Sequence, residues 1–402
     1  MTQYLFKLKN EIKNYEWGSK TAISTLFGLD NHDGEPQAEL WMGAHANGCS
    51  KVIVNNQSIL LSDLINQDKV GCLSLDTTER FGCLPFLFKV LAAESALSVQ
   101  VHPNKKEAEL GFQKEESAGV PRSDPTRNYR DANHKPELVY AITPYKAMNG
   151  FRSFDEIISS FSLFLEGRDS SSLTRMVKEF KLSPSSQNLQ KLFVGVLCLD
   201  GKDKFNELDA LLSFAHSSQS HDNDIYTTII ELASHYPNDA GLFSPLFLNV
   251  ITLEPGQAMY LDARTPHAYI KGVGLEVMAN SDNVLRAGLT SKCIDIDELS
   301  KCTLFKEKPE STLLTVPHLD GHREIYPIPV SDFCFDCFIK ANSEVIGVNS
   351  AEIIFSIDSE VIISHASGEK LRLNKGESAF IPARACQYTL FSSGRVARVY
   401  NR

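Results

Sequence analysis

The sequence lacks a long apolar run, an excess of basic residues and a regular cysteine pattern, and each absence excludes a class of protein. The N-terminal segment has no apolar core of the kind that a signal peptide needs, and no later stretch is long enough to span a bilayer. Lysine and arginine total 40 against 50 acidic residues, which gives a formal net charge of -10, and no basic tract offsets it. Nucleic-acid binding is therefore disfavoured, and we expect a cytoplasmic protein with neither a nucleic-acid nor a membrane partner.

The nine cysteines are scattered, and their odd number suits reduced thiols better than a disulfide framework. Cys334 and Cys337 form a C-x-x-C within the strand-like run F-C-F-D-C-F. Residues three apart point to opposite faces of a strand. We therefore interpret this pair as core thiols and not as a redox or zinc site.

The length of 402 residues predicts two or three domains. Residues 1–150 contain short strand-like runs, such as 51–56 and 85–91, separated by glycine, asparagine and proline. This pattern favours an all-β sandwich or barrel. The polar stretch 114–134 predicts a loop, and loops on rigid sheets often border functional sites.

Helical periodicity replaces the strand pattern over residues 151–240. Ser153 and Glu156 form a capping box, and Ser183–Pro184 predicts a helix start with proline in the first position. In segment 224–236 the apolar residues recur on one face of a helix. A helical domain is therefore predicted as an insertion into a β protein.

The β pattern resumes after residue 240 and contains an internal repeat. Leu253–Ile270 aligns without gaps with Leu373–Leu390, which indicates a duplicated β domain. Gln387 stands where His267 stands in the first copy, so the second copy is predicted to have lost its metal ligand. We predict a catalytic barrel with the metal site over 1–150 plus 241–310, an inserted helical domain over 151–240, and a metal-free β domain over 311–402 that serves stability.

Ser98, Gln100 and His102 alternate along a strand-like run, so their side chains share one face. Directing three polar groups into a barrel interior costs free energy unless they bind something polar. A bound metal would satisfy them, although a hydrogen-bonded polar strand face would also explain the run. Glu137, which opens an apolar run, and His267 would complete a mixed set of nitrogen and oxygen ligands for zinc.

The stretch 265–292 contains too few apolar residues for a plain core strand. Its mixture of a histidine, acids and cations is typical of an active-site wall. The charged candidates in it are Glu276, Asp282, Arg286 and Lys292. Upstream, His134 and Lys135 add an imidazole and an ammonium group just before Glu137, in a short charged run that a solvated turn would also explain.

Several motifs, in order along most of the chain, resemble one known family. The matching segments are Y-E-W-G-S (15–19), A-E-L-W-M-G-A-H (38–45), S-V-Q-V-H-P-N-K (98–105), N-H-K-P-E (133–137), P-L-F-L-N-V (245–250) and the long P-H-A-Y…T-S-K segment (266–292). This family is the type I mannose-6-phosphate isomerases, zinc enzymes of the cupin superfamily. The resemblance implies a mainly β fold, with two cupin or jelly-roll-type β-barrel domains and an inserted α-helical domain.

The resemblance also implies roles for individual residues. One zinc ion per chain would be bound by Gln100, His102, Glu137 and His267. The catalytic set would comprise the active-site arginine, Arg286, and the sugar-lining residues Lys135, His134, Glu276 and Asp282, with Ser98, Lys89 and Lys292 near the phosphate. The implied reaction interconverts mannose 6-phosphate and fructose 6-phosphate, in a monomer whose partner is the small sugar phosphate.

Aldose–ketose isomerisation needs a base, a means of opening the sugar ring, and stabilisation of a developing enediolate. A bound divalent metal polarises oxygens, and a fixed cation such as Arg286 stabilises an oxyanion. The base remains open among Glu276, Asp282, His134 and Lys135. Two other functions also remain open: a cupin oxygenase with iron, which would not need the phosphate-type cations, and a non-catalytic sugar-phosphate sensor.

Overall fold

The computed structural model describes residues 3–168, 171–217 and 224–402. The strands before the helical segment are β1 Phe6–Lys7, β2 Glu11–Lys13, β3 Glu39–Met42, β4 Ala44–His45, β5 Gly48–Cys49, β6 Lys51–Val54, β7 Gln57–Leu60, β8 Phe86–Ala93, β9 Gln100–Val101, β10 Glu137–Ala141 and β11 Tyr145–Phe151. The helices among them are α1 Ala22–Phe27, α2 Leu61–Gln67, α3 Lys69–Leu73, α4 Leu75–Phe81 and α5 Lys105–Ser117.

The helical segment contains α6 Phe154–Phe164, α7 Ser172–Leu182, α8 Ser186–Leu197, α9 Gly201–Ala215, α10 Asp224–Ala233 and α11 Ser244–Phe247. The strands after it are β12 Leu248–Leu253, β13 Ala258–Leu261, β14 His267–Ala279, β15 Leu285–Arg286, β16 His318–Asp320, β17 Arg323–Tyr326, β18 Cys334–Phe338, β19 Ala341–Gly347, β20 Glu352–Ser356, β21 Val361–Ser364, β22 Lys370–Leu373, β23 Ser378–Ile381, β24 Gln387–Ser392 and β25 Val396–Tyr400, with α12 Ile296–Cys302 between β15 and β16. The predicted mainly β fold with a helical insertion is confirmed.

The first barrel is organised around β8 and β14, which pair antiparallel over eight residues. β10 pairs with both β13 and β14, and β11 lies between β12 and β14. Successive side chains of a strand point to opposite faces. Leu91 of β8 therefore packs inside this barrel with Val139 and Met259, and Lys89, two residues earlier, is on the same inner face.

The opposite face of β8 packs against the second barrel. Phe88 lies at ring-centroid distances of 6.4 Å from Phe335 of β18 and 6.2 Å from Phe355 of β20. The second barrel consists of a seven-stranded sheet, β1-β23-β20-β25-β18-β17-β16, facing a four-stranded sheet, β19-β24-β21-β22. The N-terminal strand β1 therefore joins the sheet of the second barrel, where Phe6 pairs with Phe380.

The helical insertion packs its apolar faces together and against the first barrel. Ser153 and Glu156 form the predicted capping box at the start of α6. Phe161 of this helix contacts Phe247 at a ring-centroid distance of 4.8 Å, in a core that also includes Val99 and Val101 beside β9. The insertion therefore supports the back of the strand run that carries Gln100.

Two predicted boundaries are wrong. Ser183–Pro184 does not start a helix: Ser183 directly follows α7, which ends at Leu182, and α8 begins at Ser186. The side chain of Ser185 accepts a hydrogen bond from the backbone N–H of Asn188. The predicted loop over 114–134 also begins too early in the sequence. Its first four residues belong to α5, which continues to Ser117 because the Asn104 capping box starts a full-length helix upstream.

The repeat is visible in the strands. β13 and β23 start 120 residues apart, as do β14 and β24. The side chains at the aligned positions nevertheless face differently, because His267 is buried whereas Gln387 is exposed. The residue with a positive φ in the preceding turn is Arg264 in the first copy and Cys386 in the second. The first side chain of each strand therefore points to a different side of its sheet. Gln387 therefore does not point into its barrel as His267 does.

All nine cysteines are free, as predicted, and both Cys334 and Cys337 are buried. Within the described ranges, no helix combines the length and the apolar composition that crossing a membrane requires.

Candidate metal centre and active site

Three buried side chains converge at one end of the first barrel. Glu137 is the first residue of β10, His267 is the first of β14, and His102 directly follows β9. They are 2–3% exposed, and one ligand atom from each lies within 4.8 Å of the others. The structure thus brings together three of the four predicted metal ligands.

The protonation of both imidazole rings is set by backbone carbonyls. Nδ1 of His102 donates to the Asn283 carbonyl at 2.7 Å, and Nδ1 of His267 donates to the Thr265 carbonyl at 2.9 Å. A carbonyl only accepts, so in each neutral ring Nδ1 carries the proton and Nε2 carries the lone pair. Carbonyl partners of this kind orient metal-binding histidines.

The two lone pairs face the Glu137 carboxylate. Nε2 of His102 lies 3.4 Å from Oε1 of Glu137, and Nε2 of His267 lies 3.4 Å from Oε2. Within the described residues, Nε2 of His102 is buried without a hydrogen-bond partner. Lone pairs and carboxylate oxygens repel one another unless a cation lies between them, so this donor set fits a divalent metal ion.

The electrostatics keep each group in its metal-binding form. Burial and the nearby Lys135 ammonium lower the pKa of His102 to about 4, so its imidazole is neutral at pH 7. Burial alone would raise the pKa of Glu137, but the nearby Lys135 ammonium outweighs it and holds the pKa well below its usual range. Nζ of Lys135 lies 3.1 Å from Oε1 of Glu137, and the Tyr269 hydroxyl donates to Oε2 at 3.2 Å.

Gln100 lies beside this group. Its backbone pairs with His267 on one side and Arg286 on the other. Its side-chain amide donates from Nε2 to the Ser98 hydroxyl at 3.4 Å, which leaves Oε1 available as an acceptor. Both Ser98 and Gln100 line the same pocket as Glu137 and His267.

The pocket continues into a buried chain of charges. Lys89 lies 2.8 Å from Glu276 and 3.9 Å from Glu39, and the Trp41 indole donates to Glu39 at 2.5 Å. Burial raises the pKa of Glu276, and Lys89 opposes this increase. Lys89 is 6% exposed and already neutralised by carboxylates, which does not favour its predicted place near the phosphate.

Two predicted site residues have their side chains bound to other groups. Asp282 lies 3.6 Å from Nε2 of His45, and one of its oxygens accepts a 2.8 Å hydrogen bond from Asn47. The ring of His134 lies 3.1 Å from Asp332, which precedes β18 of the second barrel. His134 and Asp282 are not among the residues that line the pocket at the metal group.

Three cations form a positive group beside the pocket. Burial and the nearby Arg130 lower the pKa of Arg286. The pKa of Lys292 is lowered chiefly by Arg286, and further by burial and Arg130. Within the described residues none of these three forms an ion pair with an acid. Mutually repelling cations of this kind are suited to an anion such as phosphate.

Some residues of the site carried no recognisable sequence signal. Arg130 lies in the polar loop and belongs to no ligand-spaced motif. Glu39 lies in the segment 38–45 that carries the resemblance, but its own position did not mark it as a site residue. The carbonyl group of Asn283 orients His102, but any residue type supplies a carbonyl. The signal for Tyr269 was its position two residues after His267, on the same strand face.

A β-barrel that buries two imidazoles and a carboxylate at one end, next to an unpaired cation group, defines a metal-dependent cupin for an anionic ligand. Models of three families match the chain: "Phosphomannose isomerase type I, catalytic domain" over residues 5–154, "Phosphomannose isomerase type I, helical insertion domain" over 165–248, and "Mannose-6-phosphate isomerase, cupin domain" over 323–401. The chain belongs to the type I phosphomannose isomerase family, and the resemblance seen in its sequence is confirmed.

Individual relatives match over nearly their full length. The mannose-6-phosphate isomerase of Salmonella typhimurium is 46% identical over 398 residues, covering 98% of this chain and 99% of the relative. The Homo sapiens protein of the same name is 34% identical over 410 residues, covering 94% and 93%. A zinc-bound crystal structure of a mannose 6-phosphate isomerase has a TM-score of 0.94 and 45% identity, covering 100% of both chains.

Proposed function

We propose that this chain is a zinc-dependent aldose–ketose isomerase that interconverts mannose 6-phosphate and fructose 6-phosphate. The observation that carries the proposal is the pair of imidazole lone pairs directed at the buried Glu137 carboxylate, since this arrangement is stable only with a cation. Zinc-bound relatives support zinc as the cofactor, one ion per chain. A direct assay of purified protein with mannose 6-phosphate tests the function, and no turnover at full zinc loading would refute it.

We assign zinc binding to His102, Glu137 and His267, with the amide oxygen of Gln100 as the fourth ligand. Ser98 supports this assignment by accepting the amide hydrogen of Gln100, which turns the oxygen away from Ser98. When bound, zinc supplies a Lewis acid that polarises the sugar oxygens next to the reacting carbons.

We assign the phosphate to the group formed by Arg130, Arg286 and Lys292. Burial and the nearby Arg130 lower the pKa of Arg286, and Arg286 is the main cause of the lowered pKa of Lys292; a bound anion relieves the repulsion among these cations. Arg286 also pairs through its backbone with Gln100, which places it next to a proposed metal ligand. This position suits it to stabilise negative charge on the reacting sugar as well.

We assign the transfer of the carbon-bound proton to the carboxyl group of Glu276. It takes the proton from C2 of the open-chain aldose, and the electron pair forms the enediolate. The hydroxyl proton moves from O2 to O1, and the same carboxyl group returns the first proton to C1, which leaves the carbonyl group at C2 of the ketose. Glu276 lines the pocket and its pKa is raised, as a general base that works near neutral pH requires. Lys135 also lines the pocket, and we assign it hydrogen bonding to the sugar oxygens. Asp282 and His134 are not among the residues that line the pocket, and they contact His45 and Asp332.

Solvent exchange tests the assignment of Glu276. In deuterated water the wild-type protein should incorporate deuterium at C2 of mannose 6-phosphate, while Glu276→Gln should lose exchange and turnover by about 10²–10⁴-fold. Glu254→Gln, at an exposed position outside the pocket, is the matched control. Exchange at the wild-type rate in Glu276→Gln would move the role to Lys135.

The domain division into 1–150 plus 241–310, 151–240 and 311–402, the monomeric state and the cytoplasmic location stay predictions. The oxygenase and sensor alternatives are not favoured: an oxygenase has no need of the unpaired cations, and a sensor has no need of a buried carboxylate with a raised pKa in the pocket.

A further inference from the structure

The second barrel repeats the strand register of the catalytic barrel. In the first barrel Glu137 of β10 pairs with Leu261 of β13, and in the second Glu352 of β20 pairs with Ile381 of β23. Leu261 and Ile381 are equivalent positions of the internal repeat, which is offset by 120 residues. Glu352 therefore stands where the catalytic barrel has its proposed metal-binding carboxylate.

The neighbouring strands extend this equivalence with the charges exchanged. Two residues further along, β10 has Glu276 and then Lys89 as successive cross-strand neighbours. The matching positions next to β20 are occupied by Arg398 and then Asp336. The basic residue Arg398 thus stands at the position of the acidic Glu276, and the acidic Asp336 stands at the position of the basic Lys89.

The charges of Glu352, Arg398 and Asp336 are paired with one another. Arg398 lies 3.2 Å from Glu352 and 3.6 Å from Asp336, and the Tyr388 hydroxyl donates to Glu352 at 2.9 Å. No imidazole joins them, and the one group of His, Cys, Asp and Glu side chains suited to a metal in the described ranges is that of the first barrel. The interior of the second barrel is polar without being a metal site.

A cavity of about 240 Å³ opens beside this set. Its lining includes the buried residues Glu352, Arg398 and Ser350, and the exposed Asn349 lies at its rim. Helix α4 borders the far side through Thr77. The cavity lies slightly below the roughly 300 Å³ at which pockets for drug-sized ligands begin, so it suits a smaller molecule.

One buried wall group lacks a partner. Asn401 is 2% exposed, and its Nδ2 donates to the Thr77 hydroxyl at 2.9 Å. Its Oδ1 accepts no hydrogen bond from any residue in 3–168, 171–217 or 224–402. Leaving a buried carbonyl oxygen of this kind unpaired destabilises the fold by about 1–3 kcal/mol. A ligand that donates a hydrogen bond to this oxygen would remove that penalty.

We infer that this cavity is a second, metal-free binding site for a small uncharged polyhydroxyl compound of the size of a hexose or hexitol. Hydroxyl groups donate to Asn401 and accept from Arg398. The side chains that line the cavity include two acids, Asp76 and Glu352, and two arginines, Arg398 and Arg402, so their charges balance and favour an uncharged ligand. Burial raises the pKa of Glu352 to about 7, so this carboxyl group can accept or donate a hydrogen bond near neutral pH.

The test is calorimetric titration of the zinc-loaded full chain with sorbitol, which has no phosphate for the cation group of the catalytic pocket. Asn349 is exposed at the rim, so Asn349→Trp should fill the mouth without disturbing the core. We expect sorbitol to bind the wild type, and Asn349→Trp to weaken binding at least tenfold, or about 1.4 kcal/mol. Asn342→Trp, at an exposed position outside the cavity, should bind as the wild type does.

Asn401→Leu provides a second variant, which removes the unpaired oxygen at similar volume, and its binding should also fall. A urea unfolding midpoint close to that of the wild type establishes that each variant is folded. Absence of sorbitol binding in the wild type would overturn the inference, as would equal affinity in the wild type and both folded cavity variants. The titration does not depend on turnover of mannose 6-phosphate, so its failure and a failure of the proposed isomerase function are separate results.

Discussion

Lys89→Met should destabilise the protein in a strongly pH-dependent way. Lys89 is 6% exposed and lies between two buried carboxylates, Glu276 at 2.8 Å and Glu39 at 3.9 Å. Removing one partner of a buried ion pair costs about 3–5 kcal/mol, because a charge is left in the interior without compensation. We expect a loss of that size in the free energy of unfolding near neutral pH.

The pH dependence follows from Glu276. Burial already raises the pKa of its carboxyl group and Lys89 opposes the increase, so removing Lys89 raises the pKa further. In the unfolded chain a glutamate has a pKa of about 4.3. The folded variant then holds a proton that the unfolded chain releases, and its stability falls as the pH rises above that value. The loss should be larger at pH 8 than at pH 5.5.

Urea unfolding at both pH values, with zinc kept saturating, measures the effect. Lys271→Met is the matched control, since that lysine pairs with Glu94 at 3.8 Å on the surface, where such pairs contribute about 0–1 kcal/mol. The double variant Lys89→Met with Glu276→Gln should recover part of the loss. An equal loss at pH 5.5 and pH 8, or a loss no larger than that of the control, would refute the reasoning.

Further variants separate the parts of the site. His102→Ala and His267→Ala should each abolish both bound zinc and turnover, and wild-type zinc content in these variants by elemental analysis would contradict the ligand assignment. Arg286→Ala should keep its zinc but lose about 10²–10³ in turnover; near-normal turnover would limit Arg286 to a structural role. Arg130→Ala should raise the KM for mannose 6-phosphate without loss of zinc, whereas Arg122→Ala, an exposed arginine that pairs with Glu116, should leave it unchanged; equal KM values in both would exclude Arg130 from the phosphate site. Gln387→Ala should leave turnover intact because its side chain is exposed, and a large loss would show that the second barrel contributes to catalysis.

The metal-ligand candidates were accessible from sequence because each belongs to a local pattern. Ser98, Gln100 and His102 alternate along one run, and a strand places alternate side chains on one face. The convergence of His102 with Glu137 and His267 then followed from the resemblance and not from spacing. The place of Lys89 near the phosphate also followed from the resemblance and stays a prediction; in the structure Lys89 lines the pocket and pairs with Glu276.

The gapless repeat shows where local patterns stop being sufficient. It located β13 and β14 against β23 and β24 correctly, because glycine turns and strand lengths are local properties. It also equated Gln387 with His267, yet only His267 is buried. A single left-handed residue, at Arg264 in one turn and at Cys386 in the other, changes which side chain faces inward, since successive strand residues alternate.

The sequence by itself determined the family, the mainly β class with a helical insertion, and the residue types that suit a metal and a sugar phosphate. Only the tertiary structure decided that Lys89 is neutralised by two carboxylates, that Arg130 joins Arg286 and Lys292, and that Glu352 of the second barrel repeats the position of Glu137. Ligand chemistry is a property of residue types and short-range spacing, which the chain carries in one dimension. Charge pairing and burial depend on groups that are far apart in the chain, such as Lys89 with Glu39 and Glu276, and these meet only when the strands of each barrel are hydrogen-bonded in register.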